Sequence, residues 1–179
     1  MVYILLAPGF EEAEALVPAD MLRRAEIETA LVSIAGETVA GSHGIGVKAD
    51  MLLDQVDLAG ADMIVLPGGG AGYQNLGEEP RVERLVREAV GRGIWVAAIC
   101  AAPTLLGRWG LLAGKAAVCY PGMEEGLNGA QPQMARGVVV DGKVITGRAA
   151  GSAFDFGLTL VEVLVDHATS EKVRASIYY

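Results

Sequence analysis

The chain has 179 residues, 52% hydrophobic and 20% charged, and carries a net charge of −8 from 14 basic and 22 acidic side chains. This composition excludes a disordered chain and suits one globular domain, 1–179, with a sizeable core. No clustered basic face offers a nucleic-acid footprint, and no apolar run is long enough to span a bilayer. The start of the chain has no basic leader and the two cysteines make no disulfide framework, so the expected setting is the cytoplasm.

Residues 2–6 read as a buried strand broken by Pro8-Gly9. Glu11 and Glu12 then open a helix to about residue 26, their charges suited to its N-terminal dipole. Pro18 falls inside that helix, where it is expected to kink it. Residues 29–34 are a second strand, rich in β-branched side chains, and 36–50 read as turns and a short hairpin. A third strand, 62–66, ends at Pro67-Gly68-Gly69-Gly70. Pro80 starts an amphipathic helix with Val82, Leu85, Val86 and Ala89 on one face. The run 94–99 is a fourth strand, and a helix after Cys100 ends near Gly107. Residues 118–120, 137–140 and 143–146 read as further short strands, with Asp141-Gly142 a hairpin turn. A long apolar helix is expected over 152–166, with His167 at its end, where a cation suits the dipole. Short apolar strands alternating with helices predict an α/β fold with a mostly parallel, doubly wound sheet.

Ligands bind such sheets at the carboxyl ends of the strands. Three features fall there together: residues 11–14, the glycine run, and Cys100. A thiol at a tight strand-to-helix turn is pushed out of the sheet, and the amides and dipole of the helix start favour its thiolate. Ala98 and Ala102 leave room for the sharp turn that a nucleophile elbow requires. A buried packing cysteine is the alternative by composition; the elbow spacing favours the reactive reading. Cys119, inside an expected strand, reads as a packing residue.

Glu14 shares a helical face with the core-directed Val17 and Met21. A carboxyl there is partly desolvated, its pKa raised, and it can donate a hydrogen bond to a thiolate. A solvated first-turn glutamate is the other reading, and it fits Glu11 and Glu12 better. Gly68 and Gly69 lie in a run that lacks both the dinucleotide and the P-loop spacing. Their amides can form an oxyanion site, or the run is only a tight turn. His43 can serve a Cys–His dyad or be a polar turn residue. Arg24, with Asp20 one turn earlier, is an exposed pair or a subunit contact. No residue pair has metal-ligand spacing, so neither metal nor cofactor is expected.

Together these residues resemble the ThiJ/PfpI superfamily (class I glutamine amidotransferase-like). Within it they are most similar to the subfamily of the parkinsonism-associated deglycase and its bacterial relatives. The motifs are Ala7-Pro8-Gly9-Phe10-Glu11-Glu12-Ala13-Glu14, Leu66-Pro67-Gly68-Gly69, Gln74-Asn75-Leu76, Ala97-Ala98-Ile99-Cys100-Ala101-Ala102-Pro103, and Thr146-Gly147-Arg148-Ala149-Ala150-Gly151-Ser152. The resemblance implies a flavodoxin-like three-layer sandwich and a homodimer. It implies Cys100 as an oxidation-prone nucleophile, and Glu14 as a protonated partner that lowers the Cys100 pKa. Gly69 and Ala101 would supply amides to an oxyanion. His43 stands where relatives carry a basic residue, and Arg24 would approach from the other subunit. Two departures matter: Ala101 stands where the protease-like branch has histidine, and no histidine follows Asn128-Gly129.

The expected function is a cysteine-dependent, cofactor-free enzyme on small reactive carbonyls, glyoxalase- or deglycase-like, turning methylglyoxal into lactate under stress. The alternatives are a redox-sensor thiol, or a chaperone acting through an apolar surface near Tyr178-Tyr179.

Overall fold

Fully buried apolar runs form the strands at the centre of the sheet, because each must hide both faces. The computed structural model describes all residues, Met1–Tyr179. In chain order these are β1 (Val2–Leu6), α1 (Glu12–Arg24), β2 (Thr29–Ser33), the hairpin β3 (Thr38–Ala40) and β4 (Gly46–Lys48), and β5 (Met51–Leu52). They continue with β6 (Met63–Leu66), α2 (Gly70–Glu78), α3 (Pro80–Gly91), β7 (Trp95–Ile99), α4 (Pro103–Arg108), β8 (Ala116–Ala117) and β9 (Gln131–Pro132). The chain ends with β10 (Val138–Asp141), β11 (Val144–Gly147), α5 (Ala153–Leu164) and α6 (His167–Ser176).

The main sheet has seven strands in the order β10-β11-β7-β6-β1-β2-β5. All neighbours are parallel except β10 and β11, the antiparallel hairpin read from Asp141-Gly142. Side chains of β1 alternate between two cores. Tyr3 and Leu5 pack with Leu76, Val82, Val86 and Leu105 of α2, α3 and α4. Val2, Ile4 and Leu6 pack with Ala15, Met21, Phe156 and Val173 of α1, α5 and α6. The result is the expected α/β sandwich of three layers. Each fully buried side chain of the size of Phe156 or Leu66 contributes about 1.5–3 kcal/mol. No helix is long and apolar enough to cross a membrane.

Gly157 lets α5 lie against α1: a Cβ there would meet Met21 Cγ at 2.9 Å and Pro18 Cα at 3.0 Å. Pro18, buried inside α1, has no N–H for the Glu14 carbonyl one turn back.

Three expectations are corrected. Gly70–Glu78, not anticipated as a helix, is α2; its glycines disguise it, and Leu76 anchors it. Residues 118–120 are extended but not a strand, since Val118 N–H donates to Thr146 Oγ1 (3.0 Å) and Tyr120 N–H to the Cys100 carbonyl (2.7 Å). His167 begins α6 rather than closing the preceding helix. Asp166 caps α6 by accepting from Thr169 N–H (2.7 Å), and His167 Nδ1 lies 3.3 Å from Glu162.

Candidate active site

β1, β6 and β7 are adjacent and parallel, so the segments following them meet at one sheet edge. Cys100 follows β7 directly and adopts φ +66°, a left-handed conformation. For a residue with a side chain this costs of order 1–3 kcal/mol and persists where the surroundings hold it. Here Cys100 N–H donates to the Gly147 carbonyl (2.9 Å), and its own carbonyl accepts from Tyr120 N–H (2.7 Å). The turn lifts the thiol out of β7 and leaves it partly exposed, while Cys119 is buried. The flanking Ala98, Ala101 and Ala102 are all buried, as an elbow requires.

Glu14, in the first turn of α1, is fully buried. Its Oε2 accepts from Gly68 N–H at 2.9 Å. Its Oε1 is buried without a hydrogen-bond partner, and the neighbouring side chain that acts on the carboxyl is Cys100. Gly68 sits between the two: a Cβ there would lie 2.7 Å from both Cys100 Cβ and Glu14 Oε2. Gly69, at φ +97°, is packed against the Gly9 carbonyl and Glu11 N. Both positions therefore demand glycine, and both bring backbone close to sulfur.

Burial pushes the Glu14 carboxyl up from 4.5 to about 7, against the hydrogen bonds from Cys100 and Gly68. Burial also pushes the Cys100 thiol up to about 12, helped by the charge of Glu14 and the hydrogen bond to it; the Gly69 and Ala101 amides pull it down. The expected simple lowering of the thiol pKa is thus corrected. The helix that follows has only six residues, too short for a strong dipole, and an ionised Glu14 opposes a second negative charge. The two groups titrate as a pair.

The other expected residues divide. Gly68, Gly69 and Ala101 are at the thiol. His43 lies on the β3–β4 loop and does not line the cleft; its Nδ1 is 2.9 Å from Glu12 Oε2 and 3.7 Å from Glu11 Oε1. Glu12 overturns its reading as a solvated first-turn acid. It is 6% exposed, and Oε1 accepts from His43 N–H (2.8 Å) and Ile45 N–H (3.4 Å). Its Oε2 accepts from Ser42 Oγ (3.1 Å) as well as facing His43. Although burial pushes this carboxyl up, those hydrogen bonds hold it at about 2. Ligand atoms of Glu11, Glu12 and His43 come within 4.8 Å of one another, a grouping that sequence spacing does not show. Its carboxylates are already engaged by the loop. Arg24 pairs with Asp20 (2.9 Å) and lines a different groove with Glu26 and Lys172. Within one chain it does not reach the cleft.

The cleft over Cys100 measures about 440 Å³ and includes Gln74, from the motif Gln74-Asn75-Leu76, together with Tyr73, Tyr120 and Met123, which sequence reasoning did not single out as site residues. Tyr73 and Gln74 lie on the unanticipated α2, and Tyr120 was assigned to a strand. The nearest signal was the motif Gln74-Asn75-Leu76, beside Tyr73.

Comparison with known proteins agrees with this fold. The model of the DJ-1/PfpI family matches residues 1–163. The chain belongs to that family. It is 40% identical over 173 residues to protein dj-1beta of Drosophila melanogaster, covering 96% of this chain and 91% of that one. The crystal structure of Drosophila dj-1beta superposes with a TM-score of 0.94 at 37% identity, covering 99% and 96% of the two chains. The chain is 33% identical over 162 residues to the glutathione-independent glyoxalase DJR-1.2 of Caenorhabditis elegans, covering 90% and 87%. It is 31% identical over 164 residues to the deglycase PH1704 of Pyrococcus horikoshii, covering 91% and 98%.

Proposed function

We propose that this protein is a cofactor-free enzyme that detoxifies small reactive carbonyls, with Cys100 as nucleophile and Glu14 as its proton partner. The observation that carries the reading is the fully buried Glu14 carboxyl, one oxygen of it unpartnered, beside the part-exposed Cys100 thiol. The names of DJR-1.2 and PH1704 support the same chemistry.

With methylglyoxal, the Cys100 thiolate attacks the aldehyde carbon and a C–S bond forms. The carbonyl oxygen becomes an alkoxide held by the Gly69 and Ala101 amides and takes the proton of Glu14. Glu14, now a carboxylate, removes the hydrogen from the former aldehyde carbon and returns a proton to the neighbouring one, while the hydroxyl proton passes from the former aldehyde oxygen to the ketone oxygen. The product is a lactoyl thioester. Water cleaves its C–S bond, lactate leaves, and the thiol is restored. The net reaction adds one water, with the aldehyde carbon oxidised at the expense of the ketone carbon.

A homodimer that brings Arg24 to the neighbouring cleft, working in the cytoplasm, completes the proposal. A monomeric sedimentation mass would remove Arg24 from it. The deciding experiment is methylglyoxal consumption with chiral lactate detection, without glutathione or metal. Wild type is expected to form lactate and Cys100→Ser to form none.

The part-exposed thiol, set against the buried Cys119, also favours a second reading as a redox sensor. Mild peroxide should then add two oxygens at Cys100 alone, read by mass spectrometry. Equal oxidation of Cys119 would count against it.

A further inference from the structure

The cleft is larger than a three-carbon dicarbonyl needs. Cavities of its size, about 440 Å³, enclose ligands several times bigger. Its walls are specific in character. Tyr120 lines the cleft beside Cys100, tied there by its N–H to the Cys100 carbonyl at 2.7 Å, and Met123 follows with its N–H on the Tyr120 carbonyl at 3.1 Å. Tyr73 comes from α2, tied by its N–H to the Gly69 carbonyl at 3.1 Å. Tyr120 is 49% exposed, so its ring is open to a ligand in the cleft. Of the nine residues that line it within one chain, Glu11 alone is charged.

Resting on the reading of Cys100 as a carbonyl nucleophile, we propose that Tyr73, Tyr120 and Met123 form an aryl-binding wall. The preferred substrates are neutral α-oxoaldehydes with a flat apolar substituent, of the phenylglyoxal type, ahead of methylglyoxal. Flat rings stack on tyrosine faces and pack against a thioether. The chemistry balances as before: phenylglyoxal plus water gives mandelate, the aldehyde carbon being oxidised and the ketone carbon reduced.

The test compares kcat/KM for phenylglyoxal and methylglyoxal, each corrected for its rate with a small thiol. Wild type is expected to prefer phenylglyoxal at least tenfold. Tyr120→Ala and Tyr73→Ala should bring the ratio near one, while Tyr120→Phe keeps it. A wild-type ratio at or below one, or a ratio unmoved by both alanine variants, overturns the wall. A second measurement is independent of turnover: alkylation of Cys100 by N-benzyl iodoacetamide against iodoacetamide, referenced to free cysteine. A benzyl preference that Tyr120→Ala abolishes supports the wall even if neither dicarbonyl is consumed, in which case only the enzymatic reading fails. No benzyl preference overturns the wall itself.

Discussion

Glu12 and Glu14 stand two residues apart on α1, both removed from solvent, and titrate in opposite directions. Glu12 is held at about 2 and Glu14 rises to about 7. Burial pushes both up, so burial does not explain the difference; the donors do. Glu12 receives two backbone N–H groups, a hydroxyl and an imidazole from the β3–β4 loop. Glu14 receives one backbone N–H and faces a thiol. One helix thus carries an acid fixed as an anion that staples a loop, and an acid able to hold a proton beside a nucleophile. Pairs of acids pushed apart in this way mark the division between structural and proton-transfer roles.

Removing the proton from the second member should have the largest effect. Glu14→Gln keeps the acceptor for Gly68 N–H but cannot shuttle a proton, so carbonyl turnover should fall about a hundredfold or more. Glu12→Gln should fall far less in the same assay, and equal losses would erase the contrast. Stability should move the other way. The folded Glu14 binds its proton more tightly than an unfolded glutamate, so its burial is harmless below about pH 4.5. The cost grows as pH rises from 4.5 to about 7 and is full above that. Glu14→Gln should therefore be more stable than wild type at pH 8.5, by up to about 3 kcal/mol. Urea unfolding should show that gain vanish near pH 4.

How far the sequence reveals this contrast depends on whether the cause is local. The elbow at Cys100 is legible because small neighbours, an apolar strand and a following proline lie within a few residues. Glu14 is legible because helical spacing places it with Met21. The strands β1, β2, β6 and β7 follow from continuous apolar runs. Glu12 is not legible, since its donors come from residues 42–45, which a separate hairpin brings back. Tyr120 is equally hidden: its local pattern is apolar, and only its hydrogen bond to the Cys100 carbonyl places it at the thiol. The raised thiol pKa is hidden for the same reason, because it depends on how deeply Glu14 is packed and not on the residues around Cys100.

The loop staple sharpens the comparison at smaller scale. Hydrogen bonds to a charged acceptor are each worth about 1.5–3 kcal/mol. Glu12→Gln retains some of them, so it should destabilise by about 2 kcal/mol at pH 7. The sign is opposite to that for Glu14. The folded Glu12 releases its proton more readily, so its contribution is complete above about pH 4.5 and is lost as pH falls towards 2. Urea curves of Glu12→Gln and wild type should converge at low pH, where those of Glu14→Gln and wild type also meet from the other side.

The smallest expected effect is on His43. The Glu12 hydrogen bond and the charges of Glu11 and Glu12 raise its pKa above 6.5. Its ring is 68% exposed, so little stability goes with that shift. Proton NMR titration still reads it directly. In wild type the His43 midpoint should lie above that of an ordinary histidine, and Glu12→Gln should bring it down, whereas Glu14→Gln should leave it in place. If Glu14→Gln moved it as much, the two acids would be one electrostatic unit, and the separation of a structural from a proton-transferring carboxyl on α1 would fail.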